Sequence, residues 1–199
     1  MRIGIDFDNT IACYDNAFYE VALEKNWIDP KILKSKVSVK TDMHKKSLFK
    51  EFTILQGLVY GKNILKAKLF EGFRNFLAEN IKFHEFFIIS HKTRYPIIGE
   101  KIDLHLAAHK FIKFNKLDYF YNDLNKRIFL EPVKEKKIKR TNTLNLDFFI
   151  DDLSEILEMD GFLKKNKKLL FDPDHKTSQF SSFKKFSSWE EINNYFRSQ

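Results

Sequence analysis

Two carboxylates and a hydroxyl stand at alternate positions near the start of the chain, in the stretch DFDNTI. Asp6, Asp8 and Thr10 come at and just after the end of the apolar run 2–7, which is typical of a buried central strand. Residues two apart on an extended segment share a side, so Asp6 and Asp8 can face one substrate with different tasks. One carboxylate can act as a nucleophile while the other transfers protons.

Polar residues also end two later apolar runs. HEFFIISH (84–91) predicts a buried strand with Ser90 at its end, and LDFFIDDL (146–153) predicts another that ends in Asp151 and Asp152. Four carboxylates at one edge of a sheet would repel one another unless a cation lay among them. Ligands that are all oxygen favour magnesium, which leaves coordination positions for water and substrate phosphate.

Strands and helices alternate along the chain, which predicts an α/β fold with a doubly wound, parallel, Rossmann-like sheet. In such a sheet the carboxyl ends of the strands meet at one edge, where ligands bind. A loop is predicted over 178–188. The predicted strands are 2–7, 84–91, 127–132, 146–153 and 167–173, and the predicted helices are 14–25, 45–60, 72–80, 103–114, 133–144, 154–159 and a last one that begins at the capping box Ser188-x-x-Glu191.

The segment between the first two strands is mainly helical in its pattern. Apolar residues recur at helical spacing within 14–25 and 45–60. We therefore expect a core domain formed by 1–11 and 70–199, with 12–69 inserted as a helical cap after the first strand.

Magnesium, hydroxyls and a lysine together suit a phosphoryl group, whose negative oxygens need positive charge and hydrogen-bond donors. Thr10 and Ser90 would donate hydrogen bonds. Lys134 and Lys137 lie on the helix that leads into 146–153, and either could neutralise charge. One carboxylate would attack phosphorus, and the other would protonate the leaving oxygen and then activate water.

These residues, in this order and on these elements, resemble the four signature motifs of the haloacid dehalogenase superfamily of phosphatases. The resemblance covers the whole chain as a scaffold, but only the motif residues specifically. The strings IDFDNTIACYD, IISHKTRYP, FIDDLSEIL and LLFDP also resemble a poorly characterised bacterial branch found among surface-carbohydrate genes, which implies no substrate. The four motifs are Asp6-x-Asp8-x-Thr10, Ser90 after FFII, a downstream lysine, and Asp151-Asp152 after FFI.

The resemblance implies magnesium-dependent hydrolysis through a covalent aspartyl-phosphate. It makes Asp6 the nucleophile and Asp8 the general acid and base, with the main-chain carbonyl of Asp8 also on the metal. It puts Asp151, alone or with Asp152, in the metal site, and it favours Lys137 as the phosphate-binding lysine. The insertion resembles the helical cap that closes over the site in many members. The dehalogenase branch lacks an acid at the position of Asp8, so its presence favours phosphate transfer.

Other functions stay open at this point. The formal charge of +8 would suit a phosphatase of nucleotides or nucleic-acid ends, although lysines scattered through solvated runs such as KKNKK disfavour a nucleic-acid partner. A non-catalytic phospho-acceptor module also groups acids at strand ends, but Ser90 at the end of the second strand argues against it. We expect a small phosphorylated substrate such as a sugar phosphate or a nucleotide. His91, Lys92 and Arg94 could hold the rest of an acidic substrate, or they could be solvated loop residues.

The composition indicates where in the cell the protein is expected and whether it contains disulfides or membrane helices. The single cysteine, Cys13, excludes an internal disulfide framework. No run approaches the roughly 20 apolar residues that a membrane helix needs, and no signal-peptide core precedes Asp6. We therefore expect a cytoplasmic protein with no membrane partner; the sequence carries no signal for the oligomeric state.

Overall fold

The computed structural model describes residues 1–121, 123–175 and 183–198. Within it the chain forms two compact units. We call them the core unit, which comprises Met1–Ala12, Leu69–His91 and Asn122–Gln199, and the helical unit, which comprises Cys13–Lys68 and Lys92–Tyr121.

Six strands of the core unit form one sheet in which every neighbouring pair is parallel. Two further strands have only two residues each and lie where the chain passes from one unit to the other. The strands are β1 (Arg2–Ile5), β2 (Ala12–Cys13), β3 (Lys68–Leu69), β4 (Glu85–His91), β5 (Ile128–Glu131), β6 (Phe148–Asp151), β7 (Lys167–Phe171) and β8 (Lys184–Phe186).

The described residues form ten α-helices and a short 3-10 turn at Ile64–Lys66. The helices are α1 (Asp15–Glu24), α2 (Lys36–Lys45), α3 (Phe49–Tyr60), α4 (Phe73–Asn80), α5 (Leu104–Phe114), α6 (Asp118–Tyr121), α7 (Leu124–Arg127), α8 (Lys134–Thr143), α9 (Ser154–Glu158) and α10 (Trp189–Arg197). None of the helices in this described part combines the length and apolarity needed to cross a membrane.

The strand order is β5-β4-β1-β6-β7-β8. The chain starts in the middle with β1, adds β4 and β5 on one side, and then returns to add β6, β7 and β8 on the other. Ligands of doubly wound sheets bind where this direction reverses, at the carboxyl ends of the central strands. The predicted doubly wound parallel sheet is confirmed, and the reversal lies beside β1.

Each face of the sheet packs against helices. On one face, the Trp189 indole of α10 packs against Phe73, Phe76 and Phe171 with ring centroids 4.9, 4.9 and 5.5 Å away. A second buried cluster, which includes Phe149 of β6, joins residues of β4, β6 and β7 to α9. Helices on both faces explain why the central strands are apolar throughout, with no alternation of polar residues.

The helical unit has its own core. Phe18 of α1 stacks on Phe52 of α3 at 6.0 Å, and α2 contributes Val39 and Met43. The sequence did not predict α2, because the rest of that helix is polar or exposed and breaks the apolar periodicity. The short helices α6 and α7 were not predicted either.

The structure differs from the sequence predictions in the extent of one domain and in one loop. Residues 92–121 were expected within the core domain, but they group with the helical unit, because the amphipathic helix α5 packs against α3 and the 3-10 turn. The loop expected over 178–188 contains β8, which pairs with β7 through Leu169 and Lys184. A run as short as KKF carries no strand periodicity. Residues 178–182 of that predicted loop lie outside the described residues.

Candidate active site

The candidate site lies at the carboxyl ends of β1, β4 and β6, within the core unit. Ile5 of β1 pairs with Ile88 of β4 on one side and with Ile150 of β6 on the other. The polar residues that follow these positions therefore come to one edge of the sheet. The register continues past β1, because the Asp6 N–H donates to the Ile150 carbonyl at 2.9 Å.

Lys137 lies at the centre of the site. Its ammonium donates to Asp6 Oδ1 at 2.5 Å and to Asp151 Oδ2 at 2.6 Å, and all three side chains are buried. Helix α8 turns Lys137, Ile138 and Thr141 inward on one face. The side chain therefore crosses the interior and joins the ends of two neighbouring strands.

The other lysines near Lys137 do not reach this site. Lys134 forms an ion pair with Glu155 at 2.8 Å, and Lys136 and Lys139 are exposed. Of the two lysines that the sequence left open, the structure thus brings only Lys137 to the carboxylates.

Gly4 of β1 leaves space for the side chains that pack beside Lys137. A Cβ at Gly4 would lie 2.5 Å from Leu146 and 2.9 Å from Phe149, so only glycine leaves both side chains their places. The Phe149 ring in turn lies 5.5 Å from the Lys137 ammonium. Gly4 therefore makes room for the aromatic ring on which the lysine packs.

The electrostatics of the site favour an added cation. The pKa of the Asp6 carboxyl is raised to about 7, because burial raises it more than Lys137 lowers it and the neighbouring charges of Asp151 and Asp8 add to the rise. Burial lowers the pKa of the Lys137 ammonium, but the charges of Asp151 and Asp6 outweigh that effect and raise it above its ordinary value. The charged form of Asp6 is thus disfavoured as it stands, and an added cation would stabilise it.

Three carboxylates form a group of the kind that holds a metal ion. Asp6, Asp151 and Asp152 each present an oxygen, and these oxygens lie within 4.8 Å of one another. The donor set is all oxygen, which fits a hard divalent cation such as magnesium. Asp8 is half-buried and its carboxylate is outside this group.

The loop after Asp6 is held by main-chain hydrogen bonds. The Phe7 carbonyl accepts from the Ile11 and Ala12 N–H groups at 3.1 and 2.9 Å. Asn9 has a φ of 59°, a left-handed conformation that asparagine tolerates better than most residues. The Trp189 indole N–H donates to the Thr10 carbonyl at 3.0 Å. These bonds define the path of the segment that carries Asp6, Asp8 and Thr10.

The two hydroxyls expected at the site have different surroundings. Thr10 is buried, and its Oγ1 donates a long hydrogen bond of 3.4 Å to Asp152 Oδ1. Ser90 is also buried, and its Oγ has no hydrogen-bond partner among the described residues. Buried hydroxyls are nearly always satisfied, so an orphaned one indicates a ligand or water that completes it.

Sequence reasoning missed the supporting role of Trp189. It lies 179 residues from Thr10 along the chain, and the capping box at Ser188 predicted only that a helix begins there. No local signal links a tryptophan at the start of the last helix to the carbonyl of a loop after the first strand.

Comparisons with known proteins bear on the fold. No family model matches the sequence, and no curated protein matches it. Solved structures do match the fold. A Had-superfamily hydrolase from Ehrlichia chaffeensis has a TM-score of 0.56 at 14% identity, over 99% of this chain and 96% of that chain. The chain has the haloacid dehalogenase fold.

Two further structures support the same assignment. A haloacid dehalogenase-like family hydrolase from Xanthomonas campestris has a TM-score of 0.55 at 11% identity, over 100% of this chain and 95% of that chain. The putative HAD-hydrolase YfnB from Bacillus subtilis, in a structure bound to magnesium, has a TM-score of 0.57 at 13% identity, over 98% and 97% of the two chains. At these identities the likeness shows the haloacid dehalogenase fold alone.

Proposed function

We propose that the protein is a magnesium-dependent phosphatase that hydrolyses a small phosphorylated metabolite through an aspartyl-phosphate on Asp6. The observation that carries the proposal is the Lys137 ammonium, which bridges Asp6 and Asp151 beside Asp152 in a buried, acid-rich site. Asp6 is the group of this site that ends the central strand. The solved hydrolases of the same fold support the reaction class.

In the first step a carboxylate oxygen of Asp6 attacks phosphorus and forms a new P–O bond. The bond from phosphorus to the ester oxygen breaks, and its electron pair stays on that oxygen. Asp8, in its acid form, donates a proton to the same oxygen, so the product leaves as a neutral alcohol. The Asp8 side chain suits this role because it lies outside the three-carboxylate group.

In the second step a water molecule gives a proton to the Asp8 carboxylate and attacks phosphorus. The bond between phosphorus and the Asp6 oxygen breaks, which restores the carboxylate and releases inorganic phosphate. Lys137 keeps its proton throughout and offsets the charge of the phosphoryl oxygens. Ser90 and Thr10 donate hydrogen bonds to the same oxygens, and the orphaned Ser90 Oγ gains the partner that it lacks.

Asp6, Asp151 and Asp152 would hold the magnesium ion, with the Asp8 carbonyl as a further ligand. When bound, the ion supplies positive charge that stabilises the phosphoryl group in the transition state. The three carboxylate oxygens that lie within 4.8 Å of one another support the assignment. The structure of YfnB bound to magnesium is a precedent for the fold.

Substitution of Asp6 tests the proposal. The unaltered protein should release phosphate from p-nitrophenyl phosphate only when magnesium is present, and Asp6→Asn should abolish the release. Asp160→Asn, an exposed acid in the same unit, serves as the matched control and should retain activity. Phosphate release that survives Asp6→Asn in a folded protein would refute the assigned nucleophile. A screen of sugar phosphates and nucleotides would then identify the substrate; a cytoplasmic location stays a prediction.

A further inference from the structure

Most of the net positive charge of the protein lies in one segment of the helical unit. Residues 30–50 contain seven lysines and a single acid, Asp42, and so carry a formal charge of +6, against +8 for the whole chain. When the bordering acids Asp29 and Glu51 are counted as well, lysines still exceed acids by four. We call residues 30–50 the basic segment. It comprises the turn before α2, α2 itself and the start of α3.

The lysines of the basic segment point mainly into solvent. The one acid, Asp42, is already engaged by the Lys46 ammonium at 2.8 Å. Within the described ranges, Lys31, Lys40 and Lys50 form no ion pair. Six of the seven lysines are exposed, namely Lys31, Lys34, Lys40, Lys45, Lys46 and Lys50. The segment therefore presents a positive surface that attracts polyanions.

Three large apolar side chains are exposed among these lysines. Leu33 is 78% exposed, Phe49 is 57% exposed and Val37 is 49% exposed. A single exposed apolar residue is common on protein surfaces and needs no explanation. Three of them interleaved with lysines are typical of a surface that inserts apolar groups between lipid head groups.

Helix α2 brings the apolar residues to one side of the segment. Its inner face carries the two buried residues Val39 and Met43. Val37 and His44 are two helical turns apart and therefore share a side, away from that inner face. The Phe49 ring packs against the His44 ring, with the centroids 4.8 Å apart. Phe49 thus extends the outer side of α2 beyond the end of the helix.

We propose that the basic segment docks the protein on the surface of an anionic lipid bilayer. Lys40 and Lys45 bind lipid phosphates, while Leu33, Val37 and Phe49 enter the boundary between head groups and acyl chains. The sequence-based expectation of no membrane partner rested on the lack of a spanning segment. Docking on a surface needs no spanning segment.

The exposed aliphatic side chains favour lipid over nucleic acid as the polyanion. Non-specific binding of nucleic acids uses phosphate contacts and the stacking of bases on aromatic rings or arginine. The basic segment contains no arginine, tryptophan or tyrosine, and its single phenylalanine, Phe49, packs on His44. Leu33 and Val37 have no task at a phosphate backbone, whereas a bilayer buries both.

Sedimentation with lipid vesicles tests the proposal. The full chain should sediment with vesicles made of phosphatidylcholine and phosphatidylglycerol in equal parts, and should stay in solution with vesicles of phosphatidylcholine alone. Binding should weaken as the salt concentration rises, because salt screens the attraction between lysines and lipid phosphates. Failure to bind the anionic vesicles, or equal binding to both kinds, would overturn the proposal.

Charge variants locate the surface. Lys40→Gln and Lys45→Gln should each weaken binding to the anionic vesicles about fivefold, the loss expected for one lysine near an anionic membrane. Lys110→Gln removes the same charge from an exposed position on α5 of the same unit and should bind as the unaltered protein does. Equal losses in Lys40→Gln and Lys110→Gln would show that net charge alone attracts the vesicles, which would contradict a docking surface on the basic segment.

An apolar variant distinguishes lipid from nucleic acid. Leu33→Ser should weaken vesicle binding about tenfold, because it removes a side chain that the bilayer buries. Leu106→Ser, at a position on α5 that is 54% exposed, is the matched control and should bind normally. All these side chains are exposed, so the variants should keep the fold, which circular dichroism checks. Unchanged vesicle binding by Leu33→Ser, together with tight binding of a labelled single-stranded oligonucleotide, would overturn the proposal in favour of nucleic acid.

The inference does not depend on the proposed phosphatase activity. Asp6→Asn should abolish phosphate release and still sediment with the anionic vesicles as the unaltered protein does. Loss of vesicle binding by a folded Asp6→Asn protein would contradict a docking surface confined to the basic segment.

Discussion

The Lys137 ammonium lies 2.5 Å from Asp6 Oδ1, although the two residues are 131 positions apart in the chain. The same nitrogen also reaches Asp151 at 2.6 Å. A cation buried between two acids holds the end of β1 to the end of β6 and keeps Asp6 in place. The contact is therefore both structural and central to the proposed chemistry.

Removal of Lys137 should lower the stability of the fold as well as the activity. Lys137→Met leaves Asp6 and Asp151 buried without their cation, and breaking a buried pair in this way costs about 3–5 kcal/mol. Urea unfolding without magnesium measures the loss. Lys134→Met removes the partly exposed pair with Glu155 and should cost less than about 1 kcal/mol. Equal losses for the two variants would contradict the special role of Lys137.

Ser90→Ala should lower phosphate release while leaving the stability of the fold almost unchanged. The Ser90 Oγ is buried with no hydrogen-bond partner among the described residues, so its removal should change the free energy of unfolding by less than about 1 kcal/mol. Phosphate release should nevertheless fall about tenfold, the value of one hydrogen bond to a charged group. Steady-state kinetics and urea unfolding of the same preparation give both numbers. Normal activity would exclude Ser90 from the phosphate site.

Asp152→Asn should weaken magnesium binding. Asp152 contributes one of the three carboxylate oxygens of the group. Loss of a residue that only hydrogen-bonds to a metal ligand typically costs about 10–100-fold in affinity, so loss of a ligand should cost at least as much. Calorimetric titration with magnesium measures the change, with Asp160→Asn as the control. An unchanged magnesium affinity would remove Asp152 from the metal site and leave Asp6 and Asp151 as its carboxylates.

The stability of the helical unit should depend on pH through His109. Burial lowers the pKa of the His109 imidazole below its ordinary value of 6.5, and the nearby His105 lowers it further. The unfolded chain therefore takes up this proton more readily, so stability is full above pH 6.5 and falls as the pH drops below it. His109→Gln should reduce that fall, measured as the difference from the unaltered protein. His175→Gln, at an exposed position, should not.

The sheet and the carboxylates of the candidate site could be predicted because their signals are local. Apolar runs that end in Asp6, Ser90 and Asp151 mark the carboxyl ends of strands, and parallel strands bring those ends together. The residues alone left Lys134 and Lys137 both open, and only the family resemblance favoured Lys137. The inward face of α8 supplies the physical reason for the difference.

Other features could not be predicted because they depend on contacts that are distant in sequence. The grouping of 92–121 with the helical unit follows from the packing of α5, whose amphipathic pattern would suit either unit. The meeting of Lys36 and Lys92 at Tyr60 likewise joins three separate segments. None of these residues carries a motif, so only the structure brings them together.

Chemical trapping of the intermediate tests the central claim most directly. Asp8→Asn should slow the water attack, while the good leaving group of p-nitrophenyl phosphate makes protonation of its oxygen unnecessary in the first step. Peptide mass spectrometry after an acid quench should then find a phosphoryl group on Asp6 of the Asp8→Asn protein. Nitrophenol release by this variant with no phosphoryl group on Asp6 would contradict the account.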